Sequence, residues 1–225
     1  MVKKNKKLVI IGAGEFAAIA FEYFTHDSEY EVCGFSVDSE YLNSDEYLSL
    51  PIVARSKISE LYPSEEYDAF VAIPASELNC LRERLYLETK ALGYTMATYI
   101  SSKAFVWRNA KIGDNCFIFE NNTVQPFVTI GNNVVLWSGN HIGHQTEICD
   151  NVFVSSHVVI SGYCKIGRNC FLGVNSTLND GTEMPEFSIL GSASLVTKKL
   201  KEKEKIYVGN PAKPFTNKSA LSVKL

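Results

Sequence analysis

The chain has 225 residues, of which 46% are hydrophobic and 21% charged, and its formal net charge is −3. This length allows one large domain or two modest ones, each with a sizeable core. Without an excess of basic residues the chain has no field that attracts nucleic acid, and no stretch approaches the roughly 20 apolar residues of a membrane span. We therefore expect neither nucleic acid nor a membrane as a partner.

The cysteines and the start of the chain indicate a cytoplasmic protein. None of the cysteines forms a C-x-x-C pair, so the sequence suggests neither a zinc ribbon nor a redox motif. The basic start leads into an apolar run of only Leu8 to Ile11, which is too short for a signal peptide. Reduced, buried thiols in the cytoplasm are the simplest interpretation.

The first predicted elements form an α/β head of Rossmann-like type. A strand from Lys7 leads into the turn Gly12-Ala13-Gly14 and the start of a helix, which fits the pattern G-x-G-x-x-A. Glycines let the backbone approach a diphosphate, and a helix N-terminus favours negative charge. Two further strands and a helix follow, at residues 31–38, 69–74 and 78–92. Because no second mononucleotide-binding half follows, the sequence does not favour a nicotinamide dinucleotide as the ligand. A purely structural role for Gly12, in which it lets the helix pack on the sheet, also remains open.

A repeat of six residues then dominates the chain. Every sixth residue from Ile100 to Val196 is isoleucine, leucine, valine or methionine, and a mostly small residue stands two positions before each. Glycine often follows directly, as at Gly113, Gly131, Gly143, Gly167, Gly173 and Gly191. A period of six fits neither an amphipathic helix nor a half-buried strand, but it does fit a short strand and a turn. Three such units predict a triangular coil of 18 residues, stacked on the next at about 4.8 Å.

These features together resemble a known family of enzymes. The unbroken hexapeptides, ending in Val208-Gly209-Asn210-Pro211-Ala212-Lys213, resemble the left-handed β-helix acyltransferases. The α/β head on such a helix is similar to the NeuD/PglD type of sugar acetyltransferase and to the VioB and PerB types, which N-acetylate nucleotide-linked 4-amino-4,6-dideoxysugars. The resemblance runs from about Lys7 to Phe215. It implies a Rossmann-like head followed by an all-β left-handed parallel β-helix.

The resemblance also implies how the chain is divided and what it binds. Residues 1–97 would bind a nucleotide sugar, residues 98–215 would hold acetyl-CoA and perform catalysis, and residues 216–225 would be a tail. The family further implies a homotrimer, with an acyl-CoA cleft completed by a neighbouring subunit. The expected product belongs to surface polysaccharide biosynthesis, such as that of lipopolysaccharide O-antigen, and no metal is expected.

Site residues in the head carry over by position. In the family this region holds the nucleotide of the sugar donor's carrier, so Gly12, Gly14, Glu15 and Phe16 would lie along the diphosphate-sugar. Asp38 and Ser39 would lie near the base or ribose, and Pro74 would line the same pocket.

The predicted catalytic pair is His144 with Gly162. In the family a histidine at this place in the hexapeptide takes the proton from the attacking amine or hydroxyl, and imidazole suits that role near neutral pH. Gly162 lies one coil of 18 residues further on, so it should stack on His144 and leave room for a thioester. The family uses a glycine amide here to hold the thioester carbonyl.

The acetyl-CoA path and the surroundings of the base are less well defined. By resemblance Val174 and Ser192 contribute their backbones to that path, and Asn210, Pro211 and Lys213 lie near its diphosphate and adenine end. Relatives often follow the base with an acidic residue, whereas this chain has Gln145. His141 or Glu147 could take over that role. Another family histidine that contacts the acyl donor is Phe153 here, and His157 is out of register with it.

Other functions remain open at this stage. A sialic-acid type O-acetyltransferase would use the same fold and base, and only the acceptor separates the two. A zinc enzyme of the γ-carbonic-anhydrase type is disfavoured, because the required histidines one or two coils away are missing. A non-catalytic sugar-binding protein predicts that replacing His144 changes nothing measurable.

Overall fold

The computed structural model describes residues 3–225, except for the side chains of residues 216 and 217. The chain divides into two compact units. The first comprises the residues up to Pro74 together with Arg82–Tyr99, and the second comprises Ala75–Leu81 together with Ile100–Leu225. Among the described residues, no helix combines the length and the apolar character that crossing a bilayer requires.

The first unit contains a five-stranded sheet. Its strands are β1 (Lys6–Ile11), β2 (Tyr30–Val37), β3 (Glu46–Tyr47), β4 (Leu50–Ala54) and β5 (Tyr67–Val71), in the spatial order β3-β4-β2-β1-β5. All neighbours are parallel except β3 and β4, which form a hairpin. The helices are α1 (Glu15–Asp27), α2 (Ile58–Leu61) and α3 (Cys80–Ala91), with short 3₁₀ turns at Ser39–Tyr41 and Arg55–Lys57.

The mostly apolar strand β1 is central in the sheet, with β2 on one side and β5 on the other. Its last four residues, Leu8 to Ile11, are almost fully buried, as expected for a central parallel strand. The aromatic ring of Phe24 on α1 packs on Phe70 of β5, with ring centroids 5.2 Å apart. The predicted start of α3 at residue 78 is two residues early, because Glu77, Leu78 and Asn79 all have positive φ and cannot continue into a right-handed helix.

The second unit is a parallel β-helix, which confirms the predicted architecture. Strands of two residues recur every six residues, and each pairs in parallel with the strand 18 residues later. Sheet I contains Phe105–Val106, Thr123–Val124, His141–Ile142, Val159–Ile160, Thr177–Leu178 and Leu195–Val196. Sheet II contains Lys111–Ile112, Thr129–Ile130, Glu147–Ile148, Lys165–Ile166 and Glu183–Met184. Sheet III contains Phe117–Ile118, Val135–Leu136, Phe153–Val154, Phe171–Leu172 and Ile189–Leu190.

Two further segments complete sheet III. Tyr99–Ile100 lies where the chain passes from the first unit into the second. At the other end Lys205–Val208 pairs in parallel with Ile189–Leu190, and Lys213–Ser219 then pairs antiparallel with Lys205–Val208. A 3₁₀ turn at Ala220–Ser222 follows. The hexapeptide pattern does not predict this final hairpin.

Every corner of the coil from residue 115 to residue 193 turns at one left-handed position. That position lies three residues after the inward aliphatic residue and has positive φ. Many of these residues are asparagine or glycine, which tolerate this conformation best. At the corner between sheets II and III, Asn115, Asn133, Asn151 and Asn169 form a ladder in which each side chain donates to the next. The amides thereby satisfy one another inside the coil.

The three outward faces of the β-helix differ in chemistry. The inward aliphatic residues form one continuous core, so the preceding residue of each strand points outward. On sheet II the outward residues are mostly charged, and Lys165 bonds Glu147 at 3.1 Å. On sheet III they are apolar and mostly buried. On sheet I they carry no acidic or basic side chain apart from one histidine and are partly exposed: Phe105, Thr123, His141, Val159, Thr177 and Leu195.

Candidate active site

His144 lies at the corner between sheets I and II. It follows the strand His141–Ile142 by two residues, at the turn where the chain leaves the core, and its side chain is exposed. Gln145 beside it occupies the left-handed position, with φ of +57°. The backbone carbonyl of His144 accepts a hydrogen bond from the N–H of Tyr163 at 2.9 Å. The imidazole is therefore presented to solvent from a turn that the next coil holds in place.

Gly162 lies directly against the imidazole of His144. A Cβ at Gly162 would be 2.6 Å from Cε1 of His144 and 2.9 Å from each ring nitrogen. The space that a side chain would need is thus occupied by the ring itself, and not left open as the sequence analysis assumed. Glycine at residue 162 is required first of all so that the imidazole can lie flat on the backbone of the next coil.

The amide of Gly162 is available to a ligand. Gly162 is buried, and in the described part of the chain its N–H has no hydrogen-bond partner. A buried N–H without an acceptor costs free energy, so a ligand oxygen that reached it would be stabilised. Such a donor beside an imidazole is what acyl transfer requires.

Gln125 of the preceding coil is the hydrogen-bond partner of the imidazole. Its Oε1 atom lies 2.9 Å from the backbone nitrogen of His144 and 3.3 Å from Nδ1 of the ring. The sequence analysis considered Gln145, His141 and Glu147 for this role and missed Gln125. Glu147 instead directs its carboxylate to Lys165.

Two exposed aromatic side chains flank the same corner. The ring of Tyr163 meets that of His144 edge to face, with centroids 5.0 Å apart and an angle of 81°. Tyr163 and Phe127 both have positive φ and are 58% and 61% exposed. Bulky residues rarely adopt this conformation, so the corner of His144 carries backbone strain that the four asparagines of the ladder avoid.

His157 provides a useful contrast to His144. Its ring also packs on a glycine, because a Cβ at Gly139 would lie 2.6 Å from Nδ1 of His157. The N–H of Gly139, however, already donates to the carbonyl of Glu120 at 3.1 Å. His157 also lies at a different corner, between sheets III and I. It therefore lacks the free amide that accompanies His144.

The remaining histidines lie apart from this arrangement. His141 is an outward residue of sheet I, between Thr123 and Val159. His26 lies on the surface in the last turn of α1, with its Nε2 atom 3.5 Å from Glu22. In the described residues, neither ring packs on a glycine whose N–H lacks a hydrogen-bond partner, as the ring of His144 does.

The residues predicted along acetyl-CoA lie at other places on the β-helix. Val174 and Ser192 are stacked at the corner between sheets III and I, at the opposite edge of sheet I from His144. Asn210 and Pro211 are exposed in the turn before the last strand, next to the end of sheet I, and Lys213 is exposed as the first residue of that strand. Phe153 is buried on sheet III and stacks on Phe171 at 5.5 Å. Within one chain, Gly162 is thus the predicted acetyl-CoA residue that lies beside the predicted base, and Val174, Ser192, Asn210, Pro211 and Lys213 lie elsewhere.

The glycine turn of the head is open at the start of α1. Gly12 has φ of +121°, and a Cβ there would lie 2.8 Å from the carbonyl oxygen of Ala72, so its packing alone requires glycine. Gly14 and Glu15 are exposed, and Gly14 caps α1 without a side-chain hydrogen bond. Phe16 is buried against Phe70, so only its backbone can face a ligand. The N-terminus of α1 is therefore a place where negative charge is favoured.

Asp38 at the end of β2 is held by arginines that the sequence analysis missed. Its Oδ1 atom is 2.7 Å from Nε of Arg55, and its Oδ2 atom is 3.7 Å from Nη2 of Arg84. Arg55 also pairs with Glu88. Asp38, Ser39 and Arg55 line a cavity of about 260 Å³ in the head. Pro74 is exposed beyond the end of β5.

Cys149 and Cys170 are unsuited to nucleophilic catalysis. Burial raises the pKa of Cys170 to about 12, and burial with the nearby Glu147 carboxylate raises the pKa of Cys149 to about 11. Both are therefore thiols near neutral pH, and only a thiolate attacks or binds metal well. In residues 3–225 no three histidine, cysteine or acidic side chains are gathered as metal ligands would be.

Comparisons with known proteins agree with this two-part organisation. Residues 7–86 match the PglD N-terminal domain, and residues 109–144 and 127–162 match the bacterial transferase hexapeptide of six repeats. These two matches confirm the resemblance drawn from the sequence.

Solved structures show the same fold along nearly the whole chain. The acetyltransferase domain of PglB from Neisseria gonorrhoeae FA1090 is 22% identical, with a TM-score of 0.83 over 94% of this chain and 100% of that domain. A mutant of perosamine N-acetyltransferase from Caulobacter crescentus, in complex with CoA and GDP-perosamine, is 20% identical, with a TM-score of 0.83 over 94% and 97%. WeeI from Acinetobacter baumannii AYE is 17% identical, with a TM-score of 0.57 over 94% and 100%.

Proposed function

We propose that this chain, which joins a PglD-type head to a β-helix of transferase hexapeptides, is an acetyl-CoA-dependent N-acetyltransferase. Its acceptor is the 4-amino group of a nucleotide-linked 4-amino-4,6-dideoxysugar. The observation that carries the proposal is the exposed imidazole of His144 packed on Gly162, whose buried N–H lacks an acceptor. Support comes from the PglB acetyltransferase domain, which has been solved with acetyl coenzyme A, and from the perosamine enzyme with CoA and GDP-perosamine.

In the proposed reaction His144 transfers the proton, and Gly162 stabilises the charge on the carbonyl oxygen. The acceptor nitrogen forms a bond to the thioester carbonyl carbon, and His144 takes the proton that this nitrogen loses. The N–H of Gly162 donates to the carbonyl oxygen while that oxygen gains negative charge. When the carbon–sulfur bond breaks, the imidazolium returns the proton to the departing thiolate. The products are the N-acetyl sugar and free CoA thiol.

The head supplies the binding of the nucleotide. In this proposal the backbone at Gly14, Glu15 and Phe16 faces the diphosphate at the start of a 13-residue helix, where negative charge is favoured. Asp38 and Ser39 line the nearby cavity, and in this proposal they contact the base or ribose. Residues 1–97 thus bind the acceptor and residues 98–215 transfer the acetyl group. Both substrates are cytoplasmic metabolites, so we expect the reaction there, in surface polysaccharide biosynthesis.

We further propose a homotrimer, because one subunit holds only separate parts of the site. His144 and the pair Val174 and Ser192 lie at opposite edges of sheet I. In a trimer, three triangular β-helices pack around a threefold axis, each through the same face. One edge of that face in each subunit then lies beside the opposite edge of the same face in the next subunit. Sheet I is suited to that contact, since its outward residues are uncharged apart from a histidine and partly exposed, whereas sheet II is charged and sheet III is mostly buried.

An O-acetyltransferase acting on a sugar hydroxyl is the second candidate. The geometry at His144 serves either acceptor. The partner of the imidazole favours the amine, because the neutral amide of Gln125 cannot stabilise an imidazolium as a carboxylate would. An amine attacks with its own lone pair and loses its proton late, so it depends less on a strong base than a hydroxyl does.

An acceptor screen tests the function directly. The purified protein is incubated with acetyl-CoA and with dTDP-, UDP- and GDP-linked 4-amino sugars, free amino sugars and free sialic acid. Free thiol release and product mass are measured, with His144→Ala as the control. We expect turnover of an amino-sugar nucleotide that depends on His144. Acetylation of sialic acid, with no turnover of any amino-sugar nucleotide, would overturn the proposal.

A further inference from the structure

We propose that Gln125 is a positioning residue, which holds His144 in the tautomer with hydrogen on Nδ1 and the lone pair on Nε2. This inference rests on the proposed function only for its catalytic meaning. The tautomer itself is a property of the chain and can be measured without any turnover.

The backbone of His144 determines the orientation of the Gln125 amide. The N–H of His144 can only donate, and it lies 2.9 Å from Oε1 of Gln125. The atom of the amide that faces it must therefore be the oxygen, which only accepts. An amide without such a neighbour could be turned by 180°, which would exchange its oxygen and nitrogen. Here the contact with the N–H of His144 determines the position of the oxygen.

The same oxygen then determines the tautomer of the ring. Nδ1 of His144 lies 3.3 Å from Oε1 of Gln125. Two acceptors facing each other would repel, so Nδ1 carries the hydrogen and donates it to Oε1. In a neutral imidazole this leaves Nε2 as the acceptor. Nε2 is thus the atom that can take a proton from the attacking amine.

Gln125 is itself held firmly by the β-helix. It directly follows Val124, which is fully buried in the core, and its backbone N–H donates to the carbonyl of Ile142 at 3.0 Å. The side chain that orients the imidazole therefore leaves from a fixed point of the preceding coil. In the described chain the ring has no other hydrogen-bond partner, so the orientation depends on Gln125.

Gln145 offers a matched control for Gln125. Both are glutamines at the same corner, but Gln145 is exposed, and its backbone N–H donates to the carbonyl of Pro126 at 3.1 Å. Replacing Gln145 removes an amide near His144 without removing the contact to Nδ1. Comparing Gln125→Ala with Gln145→Ala therefore shows whether the tautomer of His144 depends on the amide that contacts Nδ1 or on any polar side chain at this corner.

The experiment is a long-range ¹⁵N–¹H correlation spectrum of the full chain labelled at histidine. The chain has four histidines, and His144→Ala identifies the signal of His144. We expect the wild type and Gln145→Ala to show the Nδ1–H tautomer at a pH where the ring is neutral. Gln125→Ala should shift the population towards Nε2–H, which free histidine prefers, and lower kcat about tenfold with KM for acetyl-CoA unchanged. Gln125→Glu keeps an acceptor and should retain Nδ1–H.

A His144 ring that keeps the same tautomer in Gln125→Ala would overturn the inference, and so would an Nε2–H signal in the wild type. Thermal melting of each variant shows whether the β-helix is intact, and Gln125→Glu gives a second reading if the alanine variant does not fold. If the tautomer responds as expected but no acceptor is acetylated, the proposed function fails and the assignment of Gln125 stands.

Discussion

Replacing Gly162 with alanine tests whether catalysis depends on the imidazole lying on the next coil. The new Cβ would be 2.6 Å from Cε1 of His144, whereas carbon atoms in contact are at least about 3.5 Å apart, so the ring must move by about 1 Å. A displacement of that size at a reacting group costs about 10²-fold in rate. We therefore expect kcat of Gly162→Ala to fall about 10²-fold.

Stability should change little, because the ring is the exposed end of a side chain and can swing outward. We expect the free energy of unfolding of Gly162→Ala to fall by less than about 1 kcal/mol. Gly139→Ala is the matched control, since its Cβ would displace His157 instead. Gly139 has φ of +78°, so this variant should lose about 1–2 kcal/mol of stability and yet keep its kcat.

The assay is steady-state thiol release with the acceptor found in the screen, together with thermal melting. A double variant sharpens the result. If Gly162→Ala acts by moving the ring, it should cost nothing further in a His144→Ala background, because the alanine keeps its N–H. A Gly162→Ala enzyme with kcat within threefold of the wild type would refute the reasoning, and so would full additivity of the two changes.

Three further outcomes can be measured. His144→Ala should lose about 10²–10⁴ in kcat with little change in KM for acetyl-CoA, and retention of more than about a third of kcat would end its assignment as the base. In thermal unfolding Asn151→Ala should lose about 2–3 kcal/mol, because it breaks the ladder at a position with φ of +61°, whereas Gln145→Asn should gain up to about 1 kcal/mol. In light scattering Val159→Glu should dissociate the trimer and Lys165→Ala, on sheet II, should not; a Val159→Glu trimer would contradict the assignment of sheet I as the interface.

The hexapeptide period predicted the β-helix well because it is a property of single positions. The inward aliphatic residues from Ile118 to Val196 are buried in the core, whereas Ile100 at the start of the series is exposed. The strands pair at a spacing of 18, so His144 and Gly162 could be placed on adjacent coils in advance. The left-handed corners also left a signal, the frequent asparagine three residues after each inward position. That signal explains why the corners turn where they do.

The missed contacts lie outside that spacing. Gln125 precedes His144 by 19 residues, so a comparison of positions exactly one coil apart passes over it. Arg55 meets Asp38 only because β4 lies beside β2, and the short hairpin that places β4 there has a first strand of two residues. Side-chain direction and strand order decide these contacts, and neither is expressed in a residue pattern.

The antiparallel strand at the end of sheet III has a consequence for how the molecule behaves in a crowded solution. A stack of parallel coils ends in unpaired backbone groups that could accept another coil, and exposed strand edges of this kind promote end-to-end aggregation. Lys213–Ser219 covers one such edge and reverses the direction of pairing. Its lysines at residues 213 and 218 and its proline at residue 214 are residue types that discourage a further strand from joining. The last hairpin thus ends sheet III in a strand whose residue types disfavour further pairing.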